Sequence, residues 1–125
     1  MRKLDLKNMS LNDRVKYLNT MIEDRLILQA FEKFYAEGII IQNNDNEPIK
    51  GKDRCRKLQE DFVTGLIDYQ NAKVVNSLIS EKISVIEWEL EFTHEKYGHQ
   101  SMSILTVQCW NNEGEIFNEK YYYSK

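Results

Sequence analysis

The strongest constraint on the fold is a segment near the middle of the chain, residues 83–94, in which apolar and polar residues alternate. Successive side chains of an extended strand point to opposite faces. The residues of one face are apolar: Ile86, Trp88, Leu90 and Phe92. The residues of the other face are acidic: Glu87, Glu89 and Glu91. The pattern predicts a half-buried antiparallel strand, whose apolar face the rest of the chain covers and whose acidic face is hydrated.

Length and composition predict one ordinary globular domain. The chain has 125 residues, of which 42% are hydrophobic and 30% charged, and this is enough for a hydrophobic core. The net charge is −3 with Lys and Arg dispersed, so we expect neither a nucleic-acid partner nor a membrane surface as partner. The N-terminal residues are not followed by the apolar stretch of a signal peptide, and the sequence has no apolar run long enough to span a membrane. We therefore expect a cytoplasmic protein. Residues 1–9 are predicted to form a flexible lead-in.

Helical periodicity dominates the first half. Apolar residues recur at spacings of three and four over residues 10–37, which predicts one long helix or two helices. Ser10 is a candidate first cap, and a second helix is predicted to begin at Thr20, where the spacing to Glu23 is that of a capping box. Gly38 is predicted to end this helical segment.

A second amphipathic helix is predicted between Gly51 and Gly65. Cys55, Leu58 and Phe62 recur along one face of this helix. Cys55 and Cys109 show no metal-ligand spacing, and we expect two free thiols in the core, although a bridge between them stays open.

Short strands are predicted at residues 39–42, 74–79, 102–110 and 116–123, in addition to the central strand. In the fourth of these five, alternation separates a face with Thr106, Gln108 and Trp110 from a face with Leu105 and Val107. Helices first and a strand meander afterwards predict an α+β fold, with N-terminal helices packed on one face of a curved antiparallel sheet.

Several local patterns, taken in order, resemble one family. Tyr35-Ala36-Glu37 precedes a short apolar strand, and Pro48-Ile49-x-Gly51 opens a helix. A Trp-containing strand and a Gly-bearing hairpin follow, and then Glu113-Gly114-Glu115-Ile116 leads into a closing aromatic strand. The order resembles SnoaL-like domains of the nuclear transport factor 2-like superfamily. The resemblance implies a cystatin-like sheet curled into a cone around an apolar pocket, and often a dimer.

The resemblance also bears on catalysis. Asn43 occupies the position at which ketosteroid isomerases of this superfamily carry a general-base Asp, and an amide cannot act as a base near neutral pH. Ser124 stands where many SnoaL-like members have an Asp. Isomerase chemistry of that kind is therefore not expected, and whether the chain is an enzyme stays open.

The pocket implied by the resemblance is lined by aromatic and apolar side chains: Phe31, Phe34, Tyr35, Phe62, Trp88, Leu90, Trp110 and Tyr122. Trp88 either stacks on a ligand or packs as core. His94 continues the apolar face of the central strand, so it is a candidate acid/base group at the pocket mouth or a solvent-exposed loop histidine. Tyr17 and Tyr35 are further candidates. His94 and His99 lack a third ligand, so no metal and no cofactor are expected.

Three functions stay open at this point. The first is a domain that binds a small apolar ligand. The second is an enzyme that performs isomerase, dehydratase or cyclase-type acid/base chemistry on a hydrophobic cyclic or polyketide-like substrate. The third is an assembly module. A homodimer is expected through the sheet face, with Leu105, Val107 and Cys109 or, on the last strand, Phe117, Tyr121 and Tyr123 as its apolar part.

Overall fold

Three helices cover one side of a six-stranded sheet in the computed structural model, which describes residues 6–124. The helices are α1 (Leu11–Glu23), α2 (Ile27–Phe34) and α3 (Lys52–Thr64), and a short 3-10 helix (Leu6–Asn8) precedes them. Leu6 is buried. Of the predicted lead-in, residues 1–5 lie outside the described part of the chain. No helix within residues 6–124 is long and apolar enough to cross a membrane.

Helix α1 begins where the sequence predicts. The Ser10 hydroxyl accepts a hydrogen bond from the Asp13 backbone N–H at 3.1 Å, which satisfies one of the N–H groups left free at a helix start. Thr20 lies inside α1, so the prediction of a helix start there is wrong. The break falls at Arg25, whose φ of 70° is left-handed and cannot continue a helix.

The end of α2 also differs from the prediction. The helix stops at Phe34, and β1 (Tyr35–Asn43) follows at once, so Gly38 lies inside a strand and does not cap a helix. The reason is a non-local one, because Tyr35 already pairs with Ile116 of the last strand. Strand pairing outweighs the local preference of a single glycine. The predicted strand at residues 39–42 is confirmed as part of β1.

Helix α3 is confirmed between its two predicted glycines. Gly51 precedes it with a φ of 96°, a conformation that suits glycine. Gly65 follows its last residue, and a glycine is needed there for a different reason: a Cβ at that position would lie 2.3 Å from Cε1 of His94. Cys55 is fully buried on the inner side of this helix.

The remaining strands are β2 (Ile49–Lys50), β3 (Leu66–Ser80), β4 (Ile83–His94), β5 (Gly98–Trp110) and β6 (Ile116–Tyr122). Their order in the sheet is β2-β1-β6-β5-β4-β3. The pairs from β3 to β6 are antiparallel, whereas β1 and β6 run parallel. Strand β3 is longer than predicted, and three register shifts interrupt its pairing with β4.

The sheet has an inner face, which the helices cover, and an outer face. The alternation of β4 is confirmed, since Ile86, Trp88 and Phe92 are buried on the inner face. The division of β5 is confirmed as well, because Thr106, Gln108 and Trp110 are buried whereas Leu105 is exposed. The largest fully buried apolar side chains, which form the core between helices and sheet, are Trp110, Phe31, Phe34, Leu18, Ile39, Ile41, Ile86 and Ile116.

Candidate functional site

A carboxyl group lies buried in the middle of the inner face. Glu119 of β6 is 1% exposed, and its hydrogen-bond partners come from the neighbouring strands β1 and β5 and from β6 itself. The Tyr35 hydroxyl of β1 lies 2.7 Å from Oε1 and 2.6 Å from Oε2, and the Tyr121 hydroxyl lies 2.5 Å from Oε1. The Gln108 amide of β5 donates to Oε2 at 2.7 Å. We call Tyr35, Gln108, Glu119 and Tyr121 the carboxyl cluster.

A second tier of hydrogen bonds fixes the Gln108 amide. Ser84 of β4 donates from its hydroxyl to Gln108 Oε1 at 2.7 Å. The same hydroxyl oxygen accepts from the Trp110 indole N–H at 2.9 Å. The cluster is thus tied to β4 and β5 through polar groups that are themselves buried, as a buried polar network requires.

The alternation of the sequence does not predict that Glu119 is buried. Strict alternation from the buried Ile116 would place residues 118 and 120 inside and Glu119 outside. The pairing of β5 with β6 shifts register between Cys109 and Trp110, so that Trp110 faces Ile116 and Cys109 faces Asn118. This irregularity puts both Ile116 and Glu119 on the inner face. Nothing in the local sequence signals a bulge at this position.

Burial raises the pKa values of the carboxyl and of both phenols in the carboxyl cluster. Desolvation raises the pKa of the Glu119 carboxyl above its ordinary value, although the hydrogen bonds from Tyr121, Tyr35 and Gln108 oppose the shift. Desolvation and the nearby Glu119 raise the pKa values of Tyr35 and Tyr121 well above 10. Both phenols therefore keep their protons, and the carboxyl holds its proton to a higher pH than an exposed glutamate does.

An apolar surface adjoins the cluster on the inner face. Its members are only partly buried although they pack against the core: Ala72, Val74, Leu90, Ile104 and Tyr121. We call this set the inner platform. Val74 and Ile104 pair with Trp88 from its two sides. Tyr121 belongs to both the platform and the carboxyl cluster, so it joins an apolar surface to a buried polar centre.

The predicted pocket residues divide into several groups. Phe31, Phe34, Trp88 and Trp110 are between 0% and 4% exposed, which makes them core. Leu90 belongs to the inner platform and Tyr35 to the carboxyl cluster. Phe62 packs edge-on against Phe92, with ring centroids 5.2 Å apart.

The placement of Tyr122 in the pocket is corrected. Its side chain is 43% exposed on the outer face, where it faces Leu105. The inner position belongs to Tyr121. The same bulge separates Phe117, which is 44% exposed, from Tyr121. The predicted grouping of Phe117 with Tyr121 and Tyr123 on one face is therefore wrong.

His94 is buried, in contrast to both of the alternatives that its sequence position suggests. Its ring stacks on Phe62, its Nε2–H donates to the Phe62 carbonyl at 3.1 Å, and its Nδ1 accepts from the Lys96 N–H at 3.0 Å. Both nitrogens are occupied by the backbone, so His94 holds the end of α3 to the turn after β4. Tyr17 is 37% exposed and packs edge-on against Phe34.

Of the remaining polar candidates, His99 lies away from the cluster, whereas Asn43 lies next to Tyr121. His99 contacts Glu91 at 2.8 Å in a side-chain pair that is about half exposed. Within residues 6–124 no three His, Cys, Asp or Glu side chains group closely enough to hold a metal ion. Asn43 ends β1 opposite Tyr121 in the parallel ladder.

Two open hollows lie apart from the carboxyl cluster, and the second includes Leu90 of the inner platform among its lining residues. One, of about 390 Å³, is lined by residues at the end of β5 and the starts of β4 and β6, including Ile83, Cys109 and Phe117. The other, of about 400 Å³, is lined mainly by polar residues of β3, β4 and β5, including Glu89, Glu91 and Ser103. Alternation along the strands places the other named residues on the outer face.

No protein-family model matches the chain, and no curated protein matches its sequence. Solved structures do match its fold. A protein from Mesorhizobium loti assigned as a SnoaL-like polyketide cyclase has a TM-score of 0.81 at 17% identity, over 92% of this chain and 100% of that one. A protein of unknown function from Burkholderia pseudomallei, described as nuclear transport factor 2-like, has a TM-score of 0.77 at 14% identity, over 93% and 92%.

A third structure is an enzyme, the epoxide hydrolase/cyclase-like SalBIII, which has a role in pyran ring formation in the polyether salinomycin. Its TM-score is 0.74 at 13% identity, over 91% of this chain and 90% of that one. At these identities the similarity concerns the fold. The α+β architecture predicted from the sequence is confirmed, and the chain has the fold of SnoaL-like and nuclear transport factor 2-like proteins.

Proposed function

We propose that the chain is a small-molecule-binding domain whose ligand lies on the inner platform. The observation that carries this proposal is an apolar surface that the helices leave partly open next to a fully buried carboxyl. Ligand sites combine apolar walls with a few placed polar groups. The platform supplies the first, and the Tyr121 hydroxyl, which reaches Glu119, supplies the second.

The buried carboxyl supports a functional site because it is costly for folding. A glutamate with its side chain out of water loses hydration that hydrogen bonds restore only in part. The raised pKa of Glu119 reflects this cost. A perturbed carboxyl on the concave side of a sheet marks a candidate site.

The same carboxyl favours a second candidate function, acid/base catalysis on an apolar cyclic substrate. An acid that holds its proton to a higher pH than an exposed glutamate does is a candidate general acid. In this role Glu119 acts through Tyr121, which it contacts at 2.5 Å. Turnover of a cyclic epoxide or ketone by the wild-type protein, lost in Glu119→Gln with binding retained, would establish catalysis over simple binding.

The expected homodimer remains a proposal and uses the outer face. Apolar side chains gather there on β4, β5 and β6: Ile83, Val85, Leu105, Val107, Cys109, Phe117 and Tyr122. A surface of this kind on a single chain is typical of an interface. The ligand face and the dimer face are then opposite sides of one sheet.

The proposal is tested with two matched variants. Ile104→Asn places an amide on the inner platform, whereas Ile67→Asn makes the same change at a residue that is 69% exposed on β3. Calorimetric titration with ethylnaphthalene, an uncharged apolar probe, should show binding to the wild type and to Ile67→Asn and weak or no binding to Ile104→Asn. Circular dichroism confirms that each variant is folded. Equal binding to both variants would place the ligand elsewhere and contradict the proposal.

A further inference from the structure

Strand β3 forms one edge of the sheet, since β4 is its only neighbour in the strand order of residues 6–124. In an antiparallel pair, every second residue of a strand turns its backbone N–H and C=O groups away from its partner. At an edge these groups are free to pair with a strand of another chain. Strand β3 has 15 residues, so it presents a long edge of this kind.

The first part of this edge, residues 66–75, carries features that hinder the addition of a strand. Three register shifts interrupt its pairing with β4, and Asp68 and Lys73 add charged side chains. A carboxylate oxygen of Glu23, on α1, also accepts a hydrogen bond from the Val74 N–H at 3.5 Å. Bulges, charges and a covering helix are devices by which edge strands avoid pairing with other chains. This part of β3 is therefore protected.

The last part of the edge lacks the bulges and the charges. Its five residues pair one to one with residues 83–87 of β4 and are neither charged nor proline: Asn76, Ser77, Leu78, Ile79 and Ser80. We call these five residues the open edge. The Leu78 side chain is 73% exposed, more than any other large apolar side chain within residues 6–124. The open edge is thus regular and uncharged, with an exposed apolar side chain at its centre.

The open edge is complementary to a second copy of itself. Two identical strands that meet antiparallel about a two-fold axis place the central residue opposite itself and the flanking residues opposite one another. With the axis at Leu78, Leu78 faces Leu78 of the second copy, Asn76 faces Ser80, and Ser77 faces Ile79. Like charges that face each other destabilise a strand pair, and this arrangement contains none. The two Leu78 side chains, exposed in the single chain, then cover each other.

We propose that the open edge pairs with the open edge of a second copy, so that the two sheets become one continuous sheet. Leu78 faces Val85 in the pairing of β3 with β4, so its side chain then lies between Val85 and Leu78 of the second copy. The contact is distinct from the proposed outer-face dimer, because it joins two sheets edge to edge. It requires no ligand and does not rest on the proposed function.

The size of the contact sets its strength. Five residues of each copy take part, whereas each partner in a stable interface of standard size contributes about 20–30 residues. We therefore expect a weak association, with a dissociation constant of about 1 mM. The outer-face dimer, which uses a wider apolar surface, should form at lower concentration.

Sedimentation tests the contact in a protein that lacks the outer-face dimer. The Leu105→Lys variant should be monomeric at micromolar concentration and partly dimeric at about 1 mM. Adding Leu78→Lys places two ammonium groups opposite each other at the two-fold axis and should keep the protein monomeric at both concentrations. Adding Ile67→Lys is the matched control, because Ile67 is 69% exposed in the protected part of the same strand. This control should dimerise as Leu105→Lys alone does, and circular dichroism confirms that each variant is folded.

Cross-linking tests the register. Facing residues of an antiparallel pair have Cα atoms about 4.5–5.5 Å apart, a separation that a disulfide can span. In a Cys109→Ser background, where the remaining Cys55 is buried, Leu78→Cys should give a covalent dimer under a mild oxidant. Ile67→Cys, at a residue of similar exposure, should give far less.

Three results would overturn the inference. The first is a Leu105→Lys variant that stays monomeric at about 1 mM, which would leave the open edge to a strand of another protein or to none. The second is a dimer of that variant that persists after Leu78→Lys, because the contact would then lie elsewhere. The third is equal cross-linking through Leu78→Cys and Ile67→Cys, which random collision of exposed thiols would produce.

Discussion

The hydroxyl of Tyr35 lies within 2.7 Å of both carboxylate oxygens of Glu119. The first residue of β1 is thereby joined to the middle of β6, the strand that β1 meets in parallel. Tyr35 covers the carboxyl on the helix side, where its ring stacks on Phe31, and Tyr121 is the one member of the carboxyl cluster that also belongs to the inner platform.

Glu119 should make stability depend on pH. Because burial raises the folded-state pKa, the folded protein keeps this proton at pH values where the unfolded chain has lost it. The contribution to the free energy of unfolding is full below the unfolded pKa, about 4.3, and is lost as pH rises through the folded pKa. Urea unfolding across this range should show the decline in the wild type and in Glu89→Gln, an outer-face control, but not in Glu119→Gln. The same slope in all three proteins would refute the assignment.

Gly65 should tolerate no side chain. An added Cβ would meet the His94 ring at 2.3 Å, and that ring is held by Phe62 and by two backbone hydrogen bonds. Gly65→Ala should therefore lower the free energy of unfolding by about 1–3 kcal/mol, as overpacking does. Gly38→Ala is the control, since nothing lies within 4 Å of its added Cβ. An equal decrease in the free energy of unfolding in the two variants would show that the His94 ring moves aside without destabilising the protein, and would contradict this prediction.

Trp88 should behave as a core residue. It is 4% exposed and lies between Val74 and Ile104 in the sheet. Trp88→Ala should destabilise the protein by about 3–5 kcal/mol in chemical denaturation, the usual cost of truncating a buried aromatic side chain. A loss well below this range, with ligand affinity abolished, would show instead that Trp88 mainly lines the site.

The two thiols should differ in reactivity. Cys55 is fully buried, whereas Cys109 is partly exposed on the outer face, beside Ile83 and Phe117. The expectation that both lie in the core therefore holds for Cys55 alone. A thiol reagent should label Cys109 in the native protein at low concentration and Cys55 only after denaturant is added.

The labelling rate of Cys109 also tests the dimer. If the outer face is an interface, labelling should slow as protein concentration rises, and Leu105→Lys should remove this protection and give a monomer in sedimentation. Ser103→Lys, on the same strand and face and outside the apolar set, is the control. A monomeric wild type at every concentration would refute the dimer.

Regular periodicity made much of the fold predictable. The alternation of β4 predicted its bounds and its faces, because one buried face leaves little freedom of register. Helix α3 was equally clear from its two glycines. The prediction that a helix ends at Gly38 was wrong because Tyr35 pairs with Ile116, which is far away in sequence, and β1 therefore begins before Gly38.

The candidate site was less accessible to sequence reasoning. Leu90 and Tyr35 were identified from the resemblance, but Glu119 was not identified at all. A single bulge in β6 reverses the faces that alternation assigns. The same bulge explains why the sequence analysis placed Tyr122 in the pocket, although Tyr121 is the residue on the inner face. A bulge depends on how two strands pair, so a pattern within one strand does not contain it.

The central claim is that ligand binds on the inner platform beside Tyr121. Amide chemical shifts recorded by NMR during titration with ethylnaphthalene test it most directly. We predict that the largest changes fall on Val74, Leu90, Ile104 and Tyr121, and that they are absent in Ile104→Asn. Changes confined to Ile83, Cys109 and Phe117 would place the ligand in the hollow that these residues line and would contradict the account.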